Sequence, residues 1–198
     1  MPDQPVFYYD LGSPYSYLAA ERVNSVLGVV PVWRPILLGG VFKVTGRRSW
    51  AHGEKREAGM AEVERRATTY GLPPIRWPEP WPGDMLVAMR AAVFAQRSGR
   101  AVAFSLAAFR QAFAAGRDLG DADNVVLAGA ACELHPRALL TGVESRAVKD
   151  ALRAQTDAAV SRGVIGVPTV AVGDLLFHGD DRLEEAAVAV GERSRPPA

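Results

Sequence analysis

A short strand that runs into a tight turn and a helix start constrains this chain most. Val6-Phe7-Tyr8-Tyr9 is apolar and aromatic and reads as a buried strand. Asp10-Leu11-Gly12-Ser13-Pro14-Tyr15-Ser16-Tyr17-Leu18 follows it. Tyr15, Leu18, Ala19, Val23 and Val26 then fall on one helical stripe, with Pro14 at the first helical position and Ser13 at the junction. The first free N–H groups of such a helix converge on one spot, and its positive end favours a negative ligand atom there. Taken alone, Ser13 also reads as a plain N-cap.

The 198 residues suit one domain, or one domain with a large insertion. Lys and Arg total 23 against 22 Asp and Glu, so the net charge of +1 argues against nucleic acid or an anionic membrane as partner. Cys132 is the one cysteine, which excludes an internal disulfide and a multi-cysteine metal site. His52, His135 and His178 lack metal-ligand spacing, so no metal is expected. No stretch is long and apolar enough to span a bilayer. Met1-Pro2-Asp3-Gln4-Pro5 lacks the basic and apolar regions of a leader, so a cytoplasmic location is expected.

Residues 29–38 read as a second strand, with Pro31 and Pro35 confining it to the ends or edge of a sheet. Strand, helix, strand makes a βαβ unit with parallel strands. From about 41 to 162 only helices are expected. Residues 53–70 carry a thin apolar stripe, Met60, Val63 and Ala67. The proline-rich stretch 72–82 reads as an ordered loop held by Ile75, Trp77 and Trp81. Asp84 is a candidate cap for a helix carrying Leu86, Met89, Val93 and Phe94. Val102, Leu106, Phe109 and Phe113 form the cleanest stripe, stopping near Gly116. Helices are expected at about 125–134, 137–140 and 144–161, the last ending at Gly163. Pro168 to Val172 and Leu175 to His178 read as a hairpin around Gly173-Asp174, before a terminal helix with Leu183, Ala186, Ala187 and Val190. Residues 194–198 look frayed. The order gives an α/β protein with a sheet of about four strands. Residues 1–40 and 163–198 form one domain, and 41–162 form an inserted all-helical subdomain.

Four blocks resemble one family. They are Tyr8 to Leu18, Arg34-Pro35-Ile36-Leu37-Leu38-Gly39-Gly40-Val41-Phe42-Lys43, Gly163-Val164-Ile165-Gly166-Val167-Pro168-Thr169, and Phe177-His178-Gly179-Asp180-Asp181-Arg182-Leu183. In this order and spacing they resemble the kappa-class glutathione transferases and the bacterial 2-hydroxychromene-2-carboxylate isomerases. The resemblance implies a thioredoxin-like fold with a mixed sheet and a cis bond before Pro168. The wider DsbA-type relatives carry Cys-x-x-Cys where this chain has Ser13 to Ser16. With both cysteines absent, thiol–disulfide exchange through this site is excluded.

What remains is a helix start with a hydroxyl on it, able to hold a thiolate that arrives with a ligand. The resemblance implies that this ligand is glutathione, with Ser13 donating a hydrogen bond to its sulfur. It implies that Val167, before Pro168, pairs its backbone with the cysteinyl part, like an added strand. Asp181 would take the γ-glutamyl amine, and the N–H groups beside Asp180 its carboxylate. Kappa enzymes commonly have serine at the position of Asp180. Lys43 matches a lysine that the isomerases place near substrate, where a cation could hold a carboxylate or an enolate oxygen. The relatives follow this lysine with Thr-Gly-Asn-x-Pro, whereas here Arg47 replaces the amide in Thr45-Gly46-Arg47-Arg48-Ser49. Arg47, Tyr15 and Trp50, with Tyr17 and Trp81, are candidates for an acceptor pocket.

The leading expectation is a glutathione-dependent isomerase. Thiolate addition to a small conjugated, electrophilic aromatic acid, bond rotation and expulsion of glutathione would leave no net redox change. The alternatives are a kappa-type transferase or peroxidase, and a non-catalytic thioredoxin-like module that captures peptides. The kappa relatives imply a homodimer.

Overall fold

The computed structural model describes residues 4–193. Residues 1–3, read for a leader, and residues 194–198, for which fraying is expected, lie outside the described residues. Strand β1 (Val6–Tyr9) pairs in parallel with β2 (Val32–Pro35) and antiparallel with β3 (Thr169–Val172). Strand β4 (Leu175–His178) closes an antiparallel hairpin with β3, giving the sheet order β2-β1-β3-β4. The chain is thus an α/β protein with a mixed four-stranded sheet. The period-2 alternation of β1 sorts the two faces. Phe7 and Tyr9, with Trp33, Val170 and Val172, enter the large core under the helices. Tyr8 and Ala171 enter a smaller cluster with Ile36, Val41, Ala159 and Val164.

The strand directions decide where a site can form. The C-terminal ends of β1, β2 and β4 and the N-terminal end of β3 all meet at one end of the sheet. Tyr9 pairs with Pro35, Tyr8 with Thr169, and Thr169 with His178. Three sequence-distant segments, around residues 10–13, 165–168 and 178, therefore converge there.

The single helix expected after Ser13 is two: α1 (Pro14–Ala20) and α2 (Val23–Leu27). At the break Arg22 N–H bonds to Ala19 three residues back, a tightened turn. The Arg22 guanidinium there reaches the Asp180 carbonyl and the Glu184 carboxylate. The second strand is shorter than residues 29–38 because Leu38 already opens α3 (Leu38–Thr45). Asp10 fixes that start, its Oδ2 accepting from Leu38 N–H at 2.8 Å. The helical run therefore begins at residue 38, not 41.

After a short turn at Trp50–His52 come α4 (Arg56–Thr69), α5 (Leu86–Arg97) and α6 (Ala101–Phe109), the last continued by a wider turn at Arg110–Ala114. Met85, not Asp84, takes the N-cap position of α5, and Asp84 sits one residue earlier, its Oδ1 accepting from Leu86 N–H at 2.9 Å. Between α4 and α5 the proline-rich stretch lies on the body, with Trp81 buried and the Trp77 and Trp81 rings 4.5 Å apart. Then come α7 (Ala122–Ala130), α8 (Pro136–Glu144) and α9 (Arg146–Ser161). Helix α7 starts and ends earlier than its apolar residues suggest, because Asp121 caps it by accepting from Asp123 N–H. Helix α8 is longer than 137–140, running from a His135 cap to Glu144, and Ser145 caps α9. Helix α10 (Leu183–Arg193) ends the described chain. Among the described residues no helix is long and apolar enough to cross a membrane.

Candidate active site

Ser13 sits at the end of β1 and caps α1, its Oγ accepting from Ser16 N–H at 3.2 Å. That cap uses a lone pair and leaves the hydroxyl proton free. Among the described residues this proton has no acceptor, and Ser13 is 5% exposed on the wall of a cleft of about 940 Å³. The N-cap role and a donor role are therefore compatible in one side chain. Asp10 sets the turn. Its carboxylate accepts from Gly12 N–H at 2.8 Å as well as from Leu38, tying the Ser13 loop to α3. Burial pushes the Asp10 carboxyl above its ordinary value, against those two hydrogen bonds.

Ile165, Gly166 and Val167 line the same cleft as Ser13. The Val167–Pro168 bond is cis, as the resemblance implies. Val167 is 7% exposed, yet among the described residues neither its N–H nor its carbonyl has a backbone partner. A nearly buried residue with two unpaired backbone groups on a cleft wall is set up to pair with an extended peptide-like ligand.

An aromatic wall completes the cleft. Tyr15 and Trp50 meet edge to face at 5.9 Å, and Trp50 lies 5.3 Å from Trp81. All three line the cleft, whereas Tyr17 is core, stacked on Phe113 at 5.6 Å. Gly59 makes room for the Trp50 ring, since a Cβ there would overlap it. Arg47 and Arg48 reach the cleft from the segment after α3 and are exposed. Lys43 is exposed on α3 beside Phe42, and Phe42, not Lys43, lines the cleft.

Asp180 and Asp181 also stand off the cleft lining. The Asp180 carboxylate is buried and accepts from Arg66 Nη1 and the Tyr70 hydroxyl, each at 2.9 Å. Burial pushes its carboxyl up, with Arg66 and Tyr70 acting in the opposite direction. Arg66 is also 3.4 Å from Asp181 and faces the Tyr15 ring at 5.5 Å, so this charged group sits directly behind the aromatic wall. The sequence points to Ser13, Val167, Tyr15, Trp50 and Arg47, and the fold brings these to one cleft. His52 and His178 also line it. Local pattern does not single them out, because only the fold brings them to the Ser13 turn.

Residues 6–191 match the sequence profile of the DSBA-like thioredoxin domain. The chain belongs to that family. Among its relatives, this DsbA-like chain is 30% identical over 184 residues to the 2-hydroxychromene-2-carboxylate isomerase of Sphingobium xenophagum, covering 90% of this chain and 93% of that protein. It is 26% identical over 215 residues to glutathione S-transferase kappa 1 of Homo sapiens, covering 100% of this chain and 95% of that protein. A solved 2-hydroxychromene-2-carboxylate isomerase superposes with a TM-score of 0.86 at 24% identity, over 95% of this chain and 94% of that one. The mixed sheet with its helices is thus the DsbA-like thioredoxin fold.

The lone cysteine of this DsbA-like chain lies elsewhere. Cys132 is buried outside the cleft, bonded to the Gly129 carbonyl at 3.2 Å, and burial pushes its thiol pKa up. Such a thiol is inert. Cys132→Ser is expected to retain wild-type turnover with an unchanged circular dichroism spectrum. Lost turnover in a folded variant would place the reactive sulfur here.

Proposed function

We propose that this protein is a glutathione-dependent isomerase of the 2-hydroxychromene-2-carboxylate isomerase type. One observation carries the reading: a free Ser13 hydroxyl proton at a helix start shares a cleft with the unpaired backbone of Val167. The first group suits a thiolate and the second suits the peptide that carries it. When bound, glutathione would supply a thiolate that adds to a conjugated acid and leaves unchanged after bond rotation.

The protein's own residues would orient and hold. Ser13 donates toward the sulfur, with the α1 N-terminus adding its positive end. Val167 pairs its N–H and carbonyl with the cysteinyl backbone, and Pro168 fixes the approach. The α10 approach, with Asp181 for the γ-glutamyl amine and the N–H groups beside Asp180 for its carboxylate, would take the far end. The Asp180 side chain is already committed to Arg66 and Tyr70. The thioredoxin-like part, 1–40 and 163–198, would thus hold glutathione, and the helical part, 41–162, would supply the acceptor wall. Tyr15 and Trp50 would pack on the aromatic substrate, and Arg47 would attract its carboxylate. Lys43 would act at long range from its exposed position. The relatives named isomerase and transferase support an enzyme over a peptide-capture module.

A mass balance tests the reaction type. Turnover of a chromene carboxylate with substoichiometric glutathione is expected to go to completion with the thiol recovered. Stoichiometric loss of glutathione would favour the transferase alternative. Arg47→Asn probes the substrate charge. Exposed ion pairs contribute roughly 0.2–1 kcal/mol, so kcat/KM for the acid should fall by up to about fivefold while its ester is unaffected. Equal effects on acid and ester would mean that Arg47 serves solvent alone.

A further inference from the structure

At the end of β4 His178 is hydrogen-bonded to Thr169 of β3. The Thr169 hydroxyl lies 2.8 Å from the Gly166 carbonyl oxygen and 3.1 Å from His178 Nδ1. A carbonyl oxygen only accepts, so the Thr169 proton goes to Gly166. Thr169 Oγ1 must then accept from the imidazole, which places the ring proton on Nδ1. The other nitrogen, Nε2, keeps its lone pair and has no partner among the described residues. Thr169 is 1% exposed, so water does not compete for this arrangement. The ring packs over Gly166, where a Cβ would come within 2.7 Å of its Cε1, and the residue remains open to the cleft it lines with Ser13 and Val167.

The charged groups around the ring are Arg47 from the segment after α3, and Asp181 and Arg182 from the turn after β4. Burial, Arg47 and Arg182 lower its pKa, and a Pro168 backbone contact and Asp181 oppose them. The net lowering favours the neutral imidazole, the form able to accept a proton.

We propose that His178 is the proton acceptor of this cleft, taking onto Nε2 the proton of a thiol whose sulfur is held at Ser13, with Thr169 as the residue that sets its tautomer. This rests on the reading of the cleft as a glutathione site. In the step the S–H bond breaks, its electron pair stays on sulfur, and an N–H bond forms at Nε2. The imidazolium keeps its Nδ1–H bond to Thr169, and its charge stabilises the neighbouring thiolate. The proton returns to sulfur when the thiol departs, so nothing is oxidised or reduced. Ser13 and His178 then divide the work, one holding the anion and the other moving its proton.

The test is imidazole NMR on 15N-labelled wild-type protein, titrated with pH alone, with glutathione and with S-methylglutathione. Calorimetry scores binding of both ligands in parallel. At neutral pH without ligand, His178 should show the Nδ1–H tautomer. Glutathione should raise the His178 midpoint by about 1–3 pH units, the usual effect of an adjacent opposite charge. S-methylglutathione, which has no thiol, should bind without that rise. Thr169→Val should lose the tautomer preference, and Thr169→Ser should restore it. If glutathione binds but both ligands leave the same midpoint, the proton-acceptor role is overturned while the glutathione reading stands. An Nε2–H tautomer in the free protein overturns it as well. If neither ligand binds, the glutathione reading falls and this role falls with it.

Discussion

Replacing Ser13 by alanine is expected to raise the pKa of bound glutathione by about one to two units, because a hydrogen bond to a charged group contributes roughly 1.5–3 kcal/mol. At pH values below both midpoints that corresponds to a loss of about ten- to a hundredfold in thiolate, and so in turnover, and to a smaller loss as pH rises through them. The neutral thiol needs no such donor, so affinity at low pH should be nearly unchanged. The direction follows from charge: a donor at Ser13 would favour the anion, so its removal would shift ionisation to higher pH. Alanine also removes the α1 cap, which costs about 0.5–2 kcal/mol of stability. Ser13→Gly separates the two roles, since glycine at an N-cap costs only a few tenths of a kcal/mol. Both variants should show the same displaced thiolate absorbance against pH. Curves that coincide with wild type would leave Ser13 a cap and nothing more.

The largest loss of stability is expected at Arg66. This side chain bonds to the buried Asp180, to Glu62 at 2.7 Å and to Asp181, and so joins α4 to the turn before α10. Arg66→Met leaves the Asp180 carboxylate buried with Tyr70 as its one remaining side-chain donor. Stranding one partner of a buried pair costs about 3–5 kcal/mol, and because Arg66 is 23% exposed we expect the lower figure. At about 2–4 °C per kcal/mol for a chain of this size, the melting midpoint should fall by roughly 6–12 °C. The pH dependence has a definite sign. Asp180 already has a raised pKa, and losing Arg66 raises it further. A carboxyl whose folded pKa exceeds its unfolded one binds the proton more tightly when folded. The stability deficit should therefore be smallest in acid and grow as pH rises through the window above the ordinary aspartate value. Adding Asp180→Asn should recover part of the loss at neutral pH. Thermal melts across pH check this, and a pH-independent deficit would show that packing, not charge, is what Arg66 supplies.

The sheet and the Ser13 turn were legible in the sequence because each rests on local pattern: alternation in β1, Pro14 at a helix start, a two-residue turn between β3 and β4. Helix ends were less legible where a side chain decided them. Asp121, His135 and Ser145 cap α7, α8 and α9 at positions that apolar periodicity does not mark. At the break Arg22 meets partners more than 150 residues away, Asp180 and Glu184, which no window of sequence contains. Within the site, Ser13, Tyr15 and Val167 followed from the motif blocks, Arg47 from the departure after Lys43, and Trp50 from its aromatic ring. His178 needed the hairpin register, which sets it against Thr169 and so decides its tautomer. Lys43 shows the converse. Its motif is intact, but the helical phase of α3 turns Phe42 to the cleft and leaves Lys43 exposed.

A crystal of this protein soaked with glutathione puts the central claim to its most direct test. The sulfur should lie within hydrogen-bond distance of Ser13 Oγ, with the cysteinyl N–H and carbonyl paired with Val167. A cleft that stays empty at saturating glutathione, or a tripeptide bound with its sulfur away from Ser13, would contradict it.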